Sequence, residues 1–303
     1  MINTADIYPP LSVDQTFEHK LDTIALLNPT VGRKMLGAIS APDGSTKDQY
    51  EELLSKAKTW GAKIKTSYLH RFDANMSLRQ GIIKSLEYPL GVSLMTERQC
   101  NAIMVPILTP YLHKVGMNSK TSRDTIYGPN QYGGLQVPNL YTSNGIQKIQ
   151  LFLGHFRKQD ATGTILDIAL GTLQQEIGIS IPILQADYTQ YGYLASPSWC
   201  DCLWQFLHKI RGTIRLTQPW VPEKCYENDV NIMEKASTWD WPKDKLEALN
   251  ISRLYMKVYY VGELLDTSKT RLRHHIKLFF QVPSIPINFQ QYRNSPNILK
   301  IFG

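Results

Sequence analysis

The sequence predicts a mainly α fold with minor β: a helical bundle preceded by a short strand or hairpin and followed by a further helical region. Three observations carry this. From Ser45 onward, apolar residues recur at spacings of three and four, which puts them on one face of a helix. Thr96 precedes Gln99 at the spacing of a capping box, in which each side chain satisfies a free backbone N–H at a helix start. Apolar residues make up 43% of the 303 and charged residues 19%, enough material for a packed core and too little charge for global disorder. A chain of this length holds one large domain or two of ordinary size.

The elements follow in order. The first thirty or so residues open irregularly, with Pro9-Pro10, and Asp14 is placed to cap a short helix reaching Leu26. Residues 33–40 are a short apolar run closed by Pro42-Asp43-Gly44, which reads as a strand and turn. The helix from Ser45 carries Tyr50, Leu53, Leu54, Ala57, Trp60, Ile64 and Tyr68 on its apolar face, so Trp60 and Tyr68 are expected in the core. A second helix is expected from Ala74 to Leu86, because Pro89 disfavours helix just before it. The third starts at Thr96, and Pro106 and Pro110 should kink or end it.

Residues 113–138 read as loop, with a small hairpin over Gln131 to Val137. A helix from Asn139 to Lys158 carries Ile146, Ile149, Leu153 and Phe156. Thr162 is positioned to cap the next helix, which ends at Gly178, a residue suited to the left-handed position after a helix. The tract 179–198 reads as extended and proline-interrupted, and 199–211 as a helix with Trp199, Leu203, Trp204, Leu207 and Ile210. Asp229 is a candidate cap for a short helix ahead of Trp239-Asp240-Trp241-Pro242. Residues 251–265 fit helix and strand equally, and the closing residues are proline-interrupted with little periodicity.

The charge pattern bears on function. Net charge is +7, and Lys56, Lys58, Lys63, Lys65, Arg71, Arg79 and Lys84 share one stretch in which Asp73 is the sole acid. Cations spaced along helices can neutralise successive phosphates, and such contacts position a nucleic acid without reading its bases. The plainer reading is a solvated helix face, since charged residues dominate exposed helix surfaces. Lys56, Lys58, Lys63, Lys65, Arg71 and Lys84 are the candidate nucleic-acid-binding residues. A second basic cluster, Lys269, Arg271, Arg273, His274, His275 and Lys277, lacks nearby carboxylates and reads as surface.

Other chemistry finds no foothold. Tyr132-Gly133-Gly134-Leu135 lacks the Gly-Lys-Ser/Thr ending of a phosphate loop and reads as a turn. Cys200 and Cys202, with His208 and Cys225, are spaced too tightly for a usual zinc site, and cysteines two apart on a helix diverge, so buried free thiols are expected. Glu51 and Glu52 are adjacent and diverge, while Asp240 and Asp244 lie in a tryptophan- and proline-rich turn, so neither pair forms a clamp for catalytic metals. No Gly-x-Ser-x-Gly elbow occurs. No catalytic residue, metal ligand or cofactor is nominated. Four cysteines suggest a reduced, intracellular setting, and no apolar run approaches the ~20 residues of a membrane span.

Several short motifs carry a resemblance. Lys34-Met35-Leu36-Gly37 is similar to the hairpin that closes the polymerase palm in reverse transcriptases of non-LTR-type retrotransposons. Ala41-Pro42-Asp43-Gly44 and the following helix with Lys56-Ala57 and Trp60 resemble the entry to the thumb of those enzymes. Leu86-Glu87-Tyr88-Pro89-Leu90, Leu94 to Cys100, Tyr127-Gly128-Pro129 through Leu135, and Arg253 to Val258 resemble later segments. The likeness spans roughly 33–265. It implies a palm-remnant lead-in over 1–45, a thumb-like helical domain over 46–160 and a mainly helical region over 161–303. In that family the paired catalytic aspartates lie upstream, and no Asp-Asp pair occurs here. The resemblance therefore implies a fragment of an RNA-directed DNA polymerase that does not catalyse alone, with an RNA or DNA duplex backbone and a missing palm domain as partners. The rival expectation is a protein-interaction module or an inert relic.

Overall fold

The computed structural model describes residues 12–14, 21–23, 28–239 and 241–265. Helices dominate and strands are few and short, so the predicted mainly α class with minor β holds. The chain divides into two compact units, Met1–Asn144 and Gly145–Gly303.

The first unit opens with two antiparallel hairpins. β1 (Ser12–Asp14) pairs with β2 (Leu21–Thr23), with Val13 opposite Asp22. Asp14 thus ends a strand and does not cap a helix. β3 (Arg33–Met35) pairs with β4 (Ala38–Ser40), with Lys34 opposite Ile39. The turn residues Leu36 and Gly37 have φ of 50° and 91°. Two positive φ values match the twist of a two-residue hairpin, and Gly37 adopts its value without a Cβ clash.

The second hairpin is tied to α1 (Lys47–Thr66). The Gly32 N–H donates to Asp48 Oδ2 at 2.7 Å, and the Ile39 N–H to Oε1 of buried Gln49 at 2.6 Å. α1 buries Gln49, Leu53, Ala57, Gly61 and Ile64, a stripe that packs on α4 (Glu97–Lys114). Approach is closest at Gly61, where a Cβ would lie 2.2 Å from the Pro106 carbonyl oxygen.

The expected capping box starts α4. The Gln99 N–H donates to Thr96 Oγ1 at 3.3 Å, and the Thr96 N–H to Gln99 Oε1 at 2.9 Å. The helix does not end at either proline but runs through both to Lys114. Buried Ile103, Met104, Ile107, Leu108, Tyr111 and Leu112 flank the prolines, and their packing outweighs the lost bonds. Pro110 has no N–H for the Pro106 carbonyl, and that carbonyl is the one pressed against Gly61.

α2 (Arg71–Met76), a π-helical turn (Ser77–Ile82) and α3 (Ile83–Glu87) follow without a break. The predicted second helix therefore begins a few residues earlier than expected and carries a π insertion. After α4 come α5 (Arg123–Tyr127) and a 3₁₀ turn over Asn130–Tyr132. The expected hairpin over Gln131–Val137 does not form. The N–H groups of Leu135, Gln136 and Val137 donate to the carbonyls of Thr125, Gly128 and Ile126, so the segment folds back on α5 and its exit. α6 (Leu140–Lys158) starts as predicted, with Asn139 Oδ1 accepting from the Tyr141 and Thr142 N–H groups. The division between the units falls within this helix.

In the second unit, Phe152 of α6 joins Leu170, Leu173 and Ile177 of α7 (Ala161–Ile177) and Leu203, Trp204 and Leu207 of α9 (Trp199–Lys209) in one core. The cap of α7 is Asp160, not Thr162: its Oδ1 accepts from the Gly163 N–H at 2.9 Å. His155 bonds the same carboxylate at 2.8 Å and holds its pKa below the usual range, aided by the Gly163 bond. Gly178 ends α7 in the left-handed conformation, φ 74°, as predicted.

The tract 179–198 is not extended. It forms a 3₁₀ turn (Ile183–Gln185), α8 (Tyr188–Tyr191) and another 3₁₀ turn (Gly192–Leu194). Buried Gln174 takes over the hydrogen bonding that a strand partner would supply. Its Nε2 donates to the Ile179 and Ile181 carbonyls at 2.7 and 2.9 Å, and its Oε1 accepts from the Ile183 N–H at 2.7 Å.

The short helix before Trp239 is α10 (Ile232–Ala236), capped by Asn231 and not Asp229. Buried Asp229 instead accepts from the N–H groups of Val230 and Gly262, each at 2.9 Å. Residues 251–265 are helical at both ends, in the last turns of α11 (Lys243–Met256) and in α12 (Val261–Leu264); between them Lys257 is in the left-handed region and Tyr260 makes an isolated antiparallel bridge with Asn231. Arg253 of α11 is buried at the C-terminal end of α7. Its Nη2 donates to the Gln175 and Glu176 carbonyls at 2.9 and 2.7 Å, carbonyls that α7 leaves unpaired. Asp240 and the basic cluster from Lys269 to Lys277 lie outside the described residues.

Candidate nucleic-acid interface

The six candidate cations all belong to the first unit. Four lie on α1, Arg71 opens α2, and Lys84 lies on α3. At about 100° per residue, Lys47, Lys58 and Lys65 fall within about 20° of one another on one shoulder of α1, and Lys56 and Lys63 fall about 140–180° away on the other. The buried stripe separates these two rows on the inner side. Both rows flank the stripe, about 80–120° from its centre, and they do not form a single file.

Their partners divide them further. Lys56 is half-buried and bonds Glu52 Oε1 at 3.0 Å, which holds the Glu52 carboxyl below its usual pKa. Lys34 of β3 reaches the same oxygen at 3.9 Å. Lys84 bonds Glu87 Oε2 at 3.0 Å, while Glu87 Oε1 accepts from Ser143 Oγ at 2.6 Å. Arg79, the seventh cation of the stretch, is turned inward: Nη2 donates to the Leu135 carbonyl at 2.7 Å and Nε to Asn75 Oδ1 at 2.9 Å. Lys63 lies over the Trp60 ring, 5.0 Å from its centroid. Lys58, Lys65 and Arg71 are exposed and have no ion-pair partner among the described residues. The free charge is therefore concentrated where α1 ends and α2 begins. Glu51 interrupts the Lys47–Lys58 row nearer the start of the helix.

Comparison with protein-family models, curated proteins and solved structures found no match. The interface rests on its own geometry.

That geometry corrects one expectation and adds residues that the sequence did not flag. Trp60 is half-buried under Lys63, but Tyr68 is not in the core: it is 100% exposed. α1 stops at Thr66, and Ser67 is extended, φ −75° and ψ 154°, so the apolar stripe cannot be continued to Tyr68. Phe72, in the first turn of α2, is 72% exposed. The usable signal was the Thr66-Ser67 pair followed by Asp73 in the first turn of the next helix, which marks a helix break between Ile64 and Ala74.

The remaining candidate chemistries stay apart. Gly133, φ 80°, makes the Tyr132-Gly133-Gly134-Leu135 segment a turn. Cys200 is buried and its thiol is pushed up to about 11 by burial, so it is a poor nucleophile; Cys202 shifts the same way. Cys225 is exposed. Among the described residues no group of three or more His, Cys, Asp or Glu side chains is arranged to hold a metal ion. No helix among them is long and apolar enough to cross a membrane.

Proposed function

We propose that this chain is a retroelement-derived reverse-transcriptase fragment, non-catalytic alone, whose first unit grips the backbone of a nucleic-acid duplex without reading sequence. The observation that carries the proposal is the set of unneutralised cations Lys58, Lys63 and Lys65 along the second half of α1 with Arg71 at the start of α2. Lysine ammonium groups and a guanidinium suit phosphate oxygens, and contacts to phosphate carry no sequence information. The retroelement ancestry rests on the motif resemblance alone. The test is fluorescence anisotropy of a labelled duplex of mixed sequence against the full chain across a salt series. Affinity should fall steeply with salt. Replacing Lys58, Lys65 and Arg71 by Glu should weaken binding equally for unrelated sequences, while Lys84→Glu should change little because Lys84 is already paired. A flat salt response, or undiminished binding by the triple variant, defeats the proposal.

A second reading is favoured by one observation in the other unit. Ile165 and Ile168 on α7 are 65% and 64% exposed, beside exposed Ala169 and Thr172 on the same helix face. A helix stripe of that kind suits a protein partner. Replacing both isoleucines by Lys should abolish any association detected by sedimentation; identical sedimentation of the variant and the parent rules this reading out.

A further inference from the structure

The α1–α2 corner places aromatic rings in solvent among cations. Tyr68 has its full side chain exposed, and Phe72 is exposed one helical turn of sequence later. Lys65, His70 and Arg71 are exposed around them, with Asp73 as the local acid. An apolar protein patch would seek a neutral or acidic apolar partner. A backbone-only site would need no rings. Rings interleaved with free cations suit a ligand that offers both negative charge and flat π faces, and that is a strand with unpaired bases.

The segment is also built to hold the rings outward. Ser67 leaves the helix in an extended conformation, and its carbonyl accepts from Lys114 Nζ at 2.5 Å. Ser67 Oγ donates to the Ile64 carbonyl at 2.9 Å. The residue before Tyr68 is therefore pinned to both α1 and α4, which limits the entropy lost when a base settles on the ring.

Resting on the backbone-binding reading above, we infer that Tyr68 and Phe72 form a stacking platform for unpaired bases, so that the preferred ligand is single-stranded nucleic acid. Lys65 and Arg71 hold the flanking phosphates. The rings add affinity that a blunt duplex, whose bases are already stacked, cannot use.

The experiment compares three labelled probes on the full chain by anisotropy: an oligothymidylate of about 20 nucleotides, a blunt duplex of the same length, and an abasic strand with the same backbone. The expected order is oligothymidylate tightest, with duplex and abasic strand weaker. Tyr68→Ala with Phe72→Ala should lower oligothymidylate affinity by about 5- to 100-fold, the range for loss of one stacked base, and leave the other two probes unchanged. Both side chains are largely solvent-exposed, so folding is not at risk, and circular dichroism checks it. Equal affinity for all three probes, with the double alanine variant silent, overturns the stacking platform while leaving backbone binding intact. Loss of binding to the duplex alone overturns the duplex reading and leaves the platform. Absence of binding to every probe at low salt overturns both.

Discussion

Arg253 is the residue whose removal should be felt most strongly in the second unit. It is 1% exposed, and burial lowers its pKa only to about 10, so it is charged at neutral pH. Nε and Nη2 bond Asn250 Oδ1 at 3.0 and 2.7 Å, and Nη2 reaches two carbonyls at the end of α7. In Arg253→Met, the Gln175 carbonyl and Asn250 Oδ1 lose their donors and the Val258 carbonyl loses its weak 3.5 Å contact from Nη1, whereas the Glu176 carbonyl keeps the Asn250 Nδ2 bond at 2.9 Å. Two orphaned buried acceptors cost about 1–3 kcal/mol each, partly offset because a desolvated charge is removed and a similar apolar volume replaces it. The net expectation is a loss of about 2–4 kcal/mol. Arg253→Lys keeps the charge but not the fork, and should recover less than half of that. Urea denaturation followed by tryptophan fluorescence suits the test, because all tryptophans except Trp60 lie in the second unit. A loss below about 1 kcal/mol for Arg253→Met would refute the argument that the guanidinium secures the end of α7.

Gly61→Ala should destabilise the first unit by about 1–3 kcal/mol, although alanine is the better helix former by ~1 kcal/mol, because the new Cβ meets backbone atoms of Pro106 that cannot rotate away. Faster amide exchange in α1 and α4 is the readout, and unchanged exchange would show that the helices separate freely. Asp201, whose Oδ1 is buried without a partner among the described residues, has its carboxyl pushed up to about 6, chiefly by burial. Its folded pKa exceeds the unfolded value of about 4, so the folded state holds the proton more tightly and stability falls as pH rises from about 4 to about 6. Asp201→Asn should therefore raise the melting temperature at pH ~7.5, by the equivalent of roughly 1–2 kcal/mol after discounting for partial exposure, and have no such effect at pH ~4; an equal effect at both would contradict the shift.

What was legible in the sequence follows a physical pattern. Long amphipathic segments and standard caps were readable: α1 from its apolar spacing, the Thr96–Gln99 box of α4, α6 from Asn139, and the glycine end of α7. Their signals are local. The misses came where distant atoms decide. Gln174 bonds three backbone groups of the 179–183 segment and turns an apparent strand into short helical turns. The packing of α4 carries it through two prolines. Caps were misassigned by two residues at Thr162 and Asp229, because several residues near each start could serve and only the chain's path selects one. The candidate interface was half legible: its cations could be counted, but not which of them were already engaged, nor that Tyr68 lies beyond the helix.

The engaged cations change what salt should reveal. If all seven cations from Lys56 to Lys84 met phosphates, the slope of log affinity against log salt on a duplex would be about −6. Lys56 and Lys84 face carboxylates and Arg79 faces a carbonyl, so each would have to give up an existing contact to reach a phosphate, and its charge is already partly compensated. Four remain, giving a slope of about −3 to −4. Lys58→Glu with Lys65→Glu should bring it to about −2, whereas Lys56→Gln with Lys84→Gln should leave it near its starting value. A slope near −6 that those glutamine changes reduce would mean that the internal pairs open on binding, and that the corner of α1 and α2 is only part of a longer track along both helices.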